Sequence, residues 1–458
     1  MPRRPTKTPP ARGRKRTGPW RRSSTRSSPA ATPFAGSEPD TPAKDPRLPV
    51  TSSSVSAGHP HRPDRDRGAP AGTAIRDGDV RAGLREANRS PIAKLGQAPS
   101  PHSRAPETPP GAANPSAACN PAEGEAQPTT QDWMRTLTRY RQPVPARSVL
   151  ELAVTLVPFV AIWAVAWCML SISAALALAI ALANAAFLVR LFMIQHDCGH
   201  GSLFRDRRLC DWIGRGLGVL TLTPYDVWKR THAIHHATTG NLDRRGVGDI
   251  PTLTVREYAE KGWLGRSLYR LLRQPVIMFG VVPFYTFFLQ NRLPVHLMRA
   301  GWRYWLSAMG TNAAIGLVLA AIVRLGGWDV LLFVFLPTML LAAIVGMWFF
   351  YVQHQFEETS WENDEDWNIQ EAAFHGSSHY ALPGVLCWIT GNIGVHHVHH
   401  LASRIPFYRL GEVVRDHDLL EWSKRITIWE SLRCARLHLW DENRQRLVSF
   451  TEARAIPA

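Results

Sequence analysis

The stretch Gly391–His400 reads Gly-Asn-Ile-Gly-Val-His-His-Val-His-His, and it holds four of the chain's 18 histidines within five residues. Two further clusters are as dense, an HxxxH motif at His196–His200 and an HxxHH motif at His232–His236. The cluster at His396–His400 is a second HxxHH motif. Residues three or four positions apart share a face of a helix, so each cluster presents two or three imidazoles together. We therefore expect the rest of the chain to bring these three histidine boxes to one point.

Imidazoles in this number predict a metal site. Imidazole is a good ligand for iron, zinc, copper and nickel. One tetrahedral zinc takes four ligands, so eight histidines indicate two metal ions. The eight candidates are His196, His200, His232, His235, His236, His396, His399 and His400. His354 is a ninth, because it follows the last apolar segment directly, whereas His397 is the middle residue of its box and is predicted to point away.

Polar residues beside the boxes are candidates for orienting the ligands or binding a substrate. Asp197 directly follows His196 and is predicted to orient a ligand through a hydrogen bond, with a solvated, charged cytoplasmic face as the alternative. Asn392 precedes the third box and is predicted to place its side-chain oxygen or a bound water near the metal. His379 is predicted to orient a ligand, with ordinary packing as the alternative. Substrate head-group contact is predicted for four residues of one polar stretch, and a solvated loop is the alternative there. These four are Asp243, Arg244, Arg245 and Asp249.

Four apolar segments predict membrane spans, since a span needs about 20 apolar residues. They cover about 148–170, 174–194, 304–323 and 328–351, and the short connections between them predict two helical hairpins. Shorter apolar patches, at Trp212–Thr223, Pro275–Leu289 and Pro383–Ile393, predict helices lying at the membrane interface.

Two hairpins leave all three boxes on one side of the membrane. That side carries nearly all the lysines and arginines, which predicts that it faces the cytoplasm. The expected fold is therefore an all-α integral membrane protein with four transmembrane helices in two hairpins. A cytoplasmic helical cap carries the histidine-rich di-metal site, and residues 131–458 form the domain.

Residues 1–130 have a different composition. They hold 21 Lys and Arg against 11 Asp and Glu, 23 of the 35 prolines and one of the 17 tryptophans. Such a segment buries too little apolar surface to offset the entropy of ordering, so it predicts a disordered basic tail rich in Pro, Arg and Ser. A transit peptide, a basic arm for nucleic acid or anionic lipid, a tail without a specific role and a start codon assigned too far upstream all stay open.

The sequence around the boxes resembles those of the membrane fatty acid desaturases, and most closely those of the bacterial and cyanobacterial acyl-lipid desaturases of the delta-12/omega type. The matching segments are HDCGHGSLF, THAIHHATTGNLD, FYVQHQFE, SSHYALP and GNIGVHHVHHLASRIPFYRL, within about residues 145–450. The resemblance implies two iron ions held by the eight box histidines, with His354 as the family's additional histidine. It also implies O2 as co-substrate and desaturation of a fatty acyl chain, with the acyl group expected in a membrane lipid.

The resemblance also bears on partners and location. The sequence contains no His-Pro-Gly-Gly haem motif, so the electron donor is expected to be a separate, ferredoxin-like protein. The expected location is the bacterial inner membrane, with the active site on the cytoplasmic side, and no nucleic-acid partner is expected. Two alternatives stay open. One is a membrane di-iron hydroxylase or ketolase acting on alkanes, carotenoids or sphingoid lipids; the other is a zinc-binding transporter or receptor, which would place the histidines along a pore.

Overall fold

The computed structural model describes residues 130–417 and 423–455, and the backbone of these residues is mostly helical. The predicted tail lies outside the described residues, apart from Thr130. Helix α1 (Thr130–Thr138) opens the described chain and packs its buried side chains Trp133 and Leu137 against the region of the third histidine box.

Two long apolar helices follow, α2 (Pro145–Met169) and α3 (Ala174–His200). The hydroxyl of Ser173 accepts a hydrogen bond from the amide of Leu176 and so caps the start of α3. Gly201, with φ of 63°, ends α3 in the left-handed conformation that glycine adopts without strain. The first histidine box therefore lies on the last turn of a long apolar helix.

A second apolar run begins with α9 (Trp302–Val330), continues through a π-helical turn at Leu331–Phe335 and ends with α10 (Leu336–His354). Gly327 interrupts it with φ of 75° and ψ of −178°, a conformation outside any helix. The predicted third and fourth spans therefore fall on either side of Gly327, within one 53-residue segment.

Three segments are long and apolar enough to cross a membrane, Pro145–Met169, Ala174–His200 and Trp302–His354. The number becomes four if the helix pair Trp263–Leu272 and Ile277–Arg292, bent by 62°, is counted as one broken span. The length and apolar composition that the sequence predicted for membrane spans are thus present, and the division into four spans stays a prediction.

Shorter elements surround the three boxes. The segment between the first box and α9 contains α4 (Arg207–Leu220), α5 (Tyr225–Thr238), α6 (Val255–Glu260), α7 (Trp263–Leu272), α8 (Val282–Phe284) flanked by π-helical turns at Ile277–Val281 and Tyr285–Leu289, and a 3₁₀ turn at Gln290–Arg292. The segment after α10 contains α11 (Ile369–His375), α12 (Gly384–Ile389), α13 (His396–Leu401), α14 (Phe407–Asp416), α15 (Ile428–Cys434) and α16 (Phe450–Arg454).

Two small sheets depart from the expected all-α fold. In one, β1 (Leu253–Thr254) pairs in parallel with β4 (Leu439–Asp441), which pairs antiparallel with β5 (Arg446–Val448). In the other, β2 (His379–Tyr380) pairs in parallel with β3 (Arg425–Ile426). Strands of two or three residues show little alternation, so the sequence pattern did not predict them. The pairings hold the chain after the second box, and the chain before the third box, against the C-terminal segment.

Candidate metal centre

Four helices bring the nine predicted histidines together. His196 and His200 lie on the last turns of α3, and the second box lies on α5. His354 is the last residue of α10, and the third box forms the short helix α13. Before α13, Gly391 and Asn392 have φ of 58° and 55°. These two left-handed residues make a bend in the chain directly before the third box.

The nine imidazoles form two groups, each with ring nitrogens within 4.8 Å of one another, close enough to hold a metal ion. The first group is His196, His200, His232, His236 and His399. The second group is His235, His354, His396 and His400. Both groups draw on the second and third boxes, so each combines side chains from helices that are distant in sequence.

The spacing of the nitrogens fits metal coordination. Two nitrogens about 2.1 Å from one ion lie about 3.0 Å apart at a right angle and about 3.4 Å apart at the tetrahedral angle. In the first group, Nε2 of His232 lies 2.9 Å from Nε2 of His196 and 3.2 Å from Nε2 of His236. In the second group, Nε2 of His396 lies 2.9 Å from Nε2 of His354 and 3.1 Å from Nε2 of His400. These residues therefore fit a pair of metal ions.

Burial keeps five imidazoles of the second and third boxes in the neutral form that binds metal. Burial, and then the neighbouring imidazoles, lower the pKa of these five histidines well below the usual value. These are His232, His236, His396, His399 and His400. A neutral imidazole offers a lone pair without first losing a proton, which favours metal binding at neutral pH.

Hydrogen bonds and ring stacking fix several of the rings. Nδ1 of His235 lies 2.6 Å from Oδ1 of Asp249, and Nδ1 of His354 lies 2.9 Å from the carbonyl oxygen of Gly376. The other ring nitrogen of His235, Nε2, is buried without a hydrogen-bond partner among the described residues. The indole of Trp228 stacks on His232 at 4.8 Å between centroids. In each case the second nitrogen or the ring face is held, which leaves Nε2 to the site.

Two of the polar residues predicted beside the metals or their ligands mainly contact the backbone. Oδ1 of Asp197 lies 3.8 Å from Nδ1 of His196, beyond hydrogen-bond distance, while its Oδ2 accepts a 2.8 Å hydrogen bond from the amide of Phe407. The side-chain amide of Asn392 donates to the carbonyl of Phe407 at 3.3 Å. Asp197 and Asn392 thus both hold the start of α14.

His379 and His397 lie beside the two groups and belong to neither. Their ring centroids are 6.1 Å apart. Burial, and then the charge of Arg425, lower the pKa of His379 to about 4. His397 is fully buried on the side of α13 that faces Phe374, 6.4 Å away between ring centroids, which agrees with its predicted position away from the ligands.

The four predicted head-group residues have protein partners. Arg244 pairs with Asp364 at 2.8 Å, and Arg245 pairs with Glu257. The Oδ2 atom of Asp243 accepts a hydrogen bond from the amide of Asp364. Asp249 has a different position from the other three, because it contacts a histidine of the second group. A head-group role for these residues stays a prediction.

A cavity of about 610 Å³ opens beside the histidines. His196, His232 and His396 line it, together with apolar side chains of α3, α5, α10 and the π-helical turns within residues 277–289. This volume is typical of a site for a small molecule with a few polar groups among apolar walls. The arrangement allows an apolar ligand to lie against both histidine groups.

Sequence reasoning missed two contributors to this region. Trp228 precedes the second box by four residues, so helical periodicity could have indicated its contact with His232. Arg273 lines the cavity 37 residues after the second box, and no local pattern connects it to the histidines. Only the tertiary structure brings it to this cavity.

Comparisons with known proteins agree with the geometry. The family model described as "Fatty acid desaturase" matches residues 173–423, more than half of the chain. A protein of Bacillus subtilis (strain 168) named "Fatty acid desaturase" is 42% identical over 323 residues, covering 70% of this chain and 91% of that protein. An "sn-1 acyl-lipid omega-3 desaturase (ferredoxin)" of Synechocystis is 31% identical over 235 residues, covering 48% of this chain and 61% of that protein.

The match spans the first two histidine boxes, His354 and the third box, so it includes every residue of the two groups. The relatives are named as enzymes, which sets aside the transporter and receptor interpretation. The chain belongs to the fatty acid desaturase family and is an enzyme that desaturates fatty acids.

Proposed function

We propose that the protein introduces a carbon–carbon double bond into a fatty acyl chain with O2 as oxidant, at two iron ions held by the nine histidines. The acyl CH2–CH2 unit gives up two hydrogens and becomes CH=CH. O2, together with two electrons and two protons from a donor, becomes two molecules of water. The observation that carries the proposal is the apolar cavity whose wall contains histidines of both groups, because it allows a methylene chain to lie beside the metals.

Nitrogen ligands of this kind suit iron, and iron supplies the redox chemistry that removal of hydrogen from an unactivated methylene requires. Zinc has no redox chemistry and would not serve. The first group would hold one ion and the second group the other. The protein's part is to position the rings: Asp249 holds His235, the carbonyl of Gly376 holds His354, and Trp228 supports His232.

We further propose the membrane arrangement of two hairpins with the histidines on the cytoplasmic side. The amide of Asp226, on α5, donates to the hydroxyl of Ser307, near the start of α9. Near the other end of α5, the ring of His235 lies 4.8 Å from that of His354, the last residue of α10. A straight helix from residue 307 to residue 354 would be about 70 Å long, against about 21 Å for α5. The chain must therefore turn back between them, and Gly327 is the break that allows it.

The substrate and donor are proposed from the relatives' names and from charge. Several relatives are named acyl-lipid desaturases with ferredoxin, so we propose a membrane-lipid acyl group as substrate and a separate ferredoxin-like donor. The net charge of +16 suits an acidic donor protein. The bacterial inner membrane is the proposed location.

Expression in a bacterial host that lacks desaturases, together with a ferredoxin and its reductase, tests the proposal. Wild-type protein should give a new unsaturated acyl species in the lipid fatty acid profile. His399→Ala should abolish it, whereas His375→Ala should retain it, because His375 is exposed and belongs to neither group. Hydroxylated products would support the hydroxylase alternative instead, and an unchanged profile with well-expressed wild-type protein would refute desaturation. Zinc at one ion per chain, without iron, would refute the di-iron centre.

A further inference from the structure

Arg273 is a buried cation in the wall of the cavity. Its side chain is only 2% exposed, although it lies at the C-terminal end of α7, a helix with an exposed apolar face. Among the described residues that line the cavity, it is the only lysine or arginine. Removing a guanidinium from water is unfavourable unless another charge compensates it. The charge of the groups around Arg273 therefore indicates what kind of ligand the cavity binds.

The hydrogen-bond partners of Arg273 are all neutral. Its guanidinium donates to the carbonyl oxygens of Pro251 at 3.3 Å and Leu437 at 2.8 Å, to Oε1 of Gln355 at 2.8 Å and to the hydroxyl of Tyr351 at 3.2 Å. The Nε–H is buried without a partner, and no aspartate or glutamate among the described residues forms an ion pair with it. A buried guanidinium with a spare donor and no counter-ion is suited to an anion.

The position of Arg273 relates it to the histidines. Gln355, which it contacts, directly follows His354, and Pro251 lies two residues after Asp249, the partner of His235. From the region of Arg273 and the histidines, the cavity extends along α10, since residues from Met339 to Gln353 line it. Those 14 steps along a helix correspond to about 21 Å. An acyl chain with a polar end at Arg273 therefore has room for its methylenes past the histidines.

We propose that Arg273 binds the anionic group of the substrate, a carboxylate or a lipid phosphate, and so sets which methylenes lie beside the histidines. The proposal rests on the desaturase function and names the substrate class more closely: an acyl chain that carries an oxyanion near the metal centre. The residue fixes one end of the chain, so the position of the new double bond is counted from that end.

Equilibrium binding to the purified full-length protein in neutral detergent tests this, because it needs no turnover. Radiolabelled palmitate is compared with palmitamide, its neutral analogue, and dipalmitoylphosphatidylglycerol with dipalmitoylglycerol. Charge-assisted hydrogen bonds predict at least about tenfold tighter binding of the anionic member of one pair. A preference in the first pair identifies a carboxylate, and a preference in the second identifies a phosphate. Equal affinities within both pairs in wild-type protein would overturn the proposal, whatever the variants do.

Arg273→Gln should remove the preference, and Arg292→Gln is the matched control. Arg292 is also partly buried, donates to the backbone carbonyls of Leu222 and Phe287 and has an unpartnered Nε, but it does not line the cavity. An unchanged preference in folded Arg273→Gln protein would contradict the proposal. So would loss of the preference in both variants.

Product analysis gives an independent readout. With palmitate-length, shorter and longer acyl chains, wild-type protein should place the double bond at a constant number of carbons from the carboxyl end. A constant distance from the methyl end would overturn the role of Arg273. Absence of any unsaturated product in wild-type protein would instead refute the desaturase function, and the binding preference would still be measurable.

Discussion

Oδ1 of Asp249 lies 2.6 Å from Nδ1 of His235, and both side chains are buried, with 7% and 2% of their surface exposed. The two residues are 14 positions apart, and the contact joins the polar loop after the second box to a histidine of the second group. A carboxylate in this position fixes the orientation of the ring and increases its basicity as a ligand.

Asp249→Asn should therefore weaken metal binding. Loss of such a partner reduces metal affinity or activity by about 10- to 100-fold, and the protein should lose iron more readily to a chelator. Titration of bound iron against the chelator measures this. Asp366→Asn, at an exposed acidic residue, is the control and should behave as wild type. Equal iron retention in both variants would contradict the role of Asp249.

The two groups predict separate effects on metal content. His232→Ala removes a ligand from the first group alone, and His396→Ala removes one from the second group alone. If the proposed di-iron centre is right, each variant should retain about one iron per chain and wild-type protein two, because the other group keeps its full set. Elemental analysis of purified protein measures the ratio. Loss of both ions in each variant would indicate a single interdependent cluster.

Gly346 offers a way to shorten the cavity. It lines the cavity on α10, and a Cβ built there meets no atom within 4 Å. Gly346→Leu should fold normally and reduce desaturation of the longest acyl chains while sparing shorter ones. The fatty acid profile of a host fed chains of several lengths measures the shift. Gly316→Leu is the control, since Gly316 on α9 is equally open and lies away from the cavity. Identical profiles for the two variants would place the acyl chain elsewhere.

A buried ion pair links α2 to α3, and its arginine also contacts the helix before the third box. Arg190, on α3, pairs with Glu151 on α2 and donates to the carbonyl of Trp388 on α12, the helix that precedes the third box. Removing one partner of a buried pair costs about 3–5 kcal/mol, so Arg190→Gln should lower the melting temperature in detergent and reduce metal content. Arg147→Gln should have little effect, because Arg147 is half exposed where it contacts Glu151. Equal melting temperatures for both variants would show that the pair contributes no stability.

His438 predicts a pH dependence of stability. Burial, and then the charge of Arg273, lower the pKa of His438 to about 4. The unfolded chain, with an ordinary pKa near 6.5, binds the proton first as the pH falls. The contribution of His438 to stability is therefore present above about pH 6.5 and is lost progressively towards pH 4. Melting temperatures measured across this range should fall less steeply for His438→Gln than for wild type. Parallel curves would show that His438 has the same pKa in the folded and the unfolded chain.

Much of the site followed from the sequence by itself. Helix geometry fixes the spacing of neighbouring side chains, so HxxxH and HxxHH were enough to predict clustered imidazoles and two metals. Hydrophobic length was enough to predict apolar helices of membrane-spanning size. The small sheets were missed, because strands of two or three residues are made by pairing with distant chain segments.

Only the tertiary structure decided which imidazoles belong to which of the two groups. Residues at i and i+4 stay in one group, as His196 with His200 and His396 with His400 do, whereas His235 and His399, at i+3 in their boxes, join the opposite group. The i+3 and i+4 side chains lie at opposite edges of the face that they share with residue i, and which partner each meets depends on how helices distant in sequence pack. The same long-range packing brings Asp249 to His235 and Arg273 to the cavity. Local spacing determined which residues could bind metal, and packing determined which of them are close enough to hold the same ion and which side chains lie beside them.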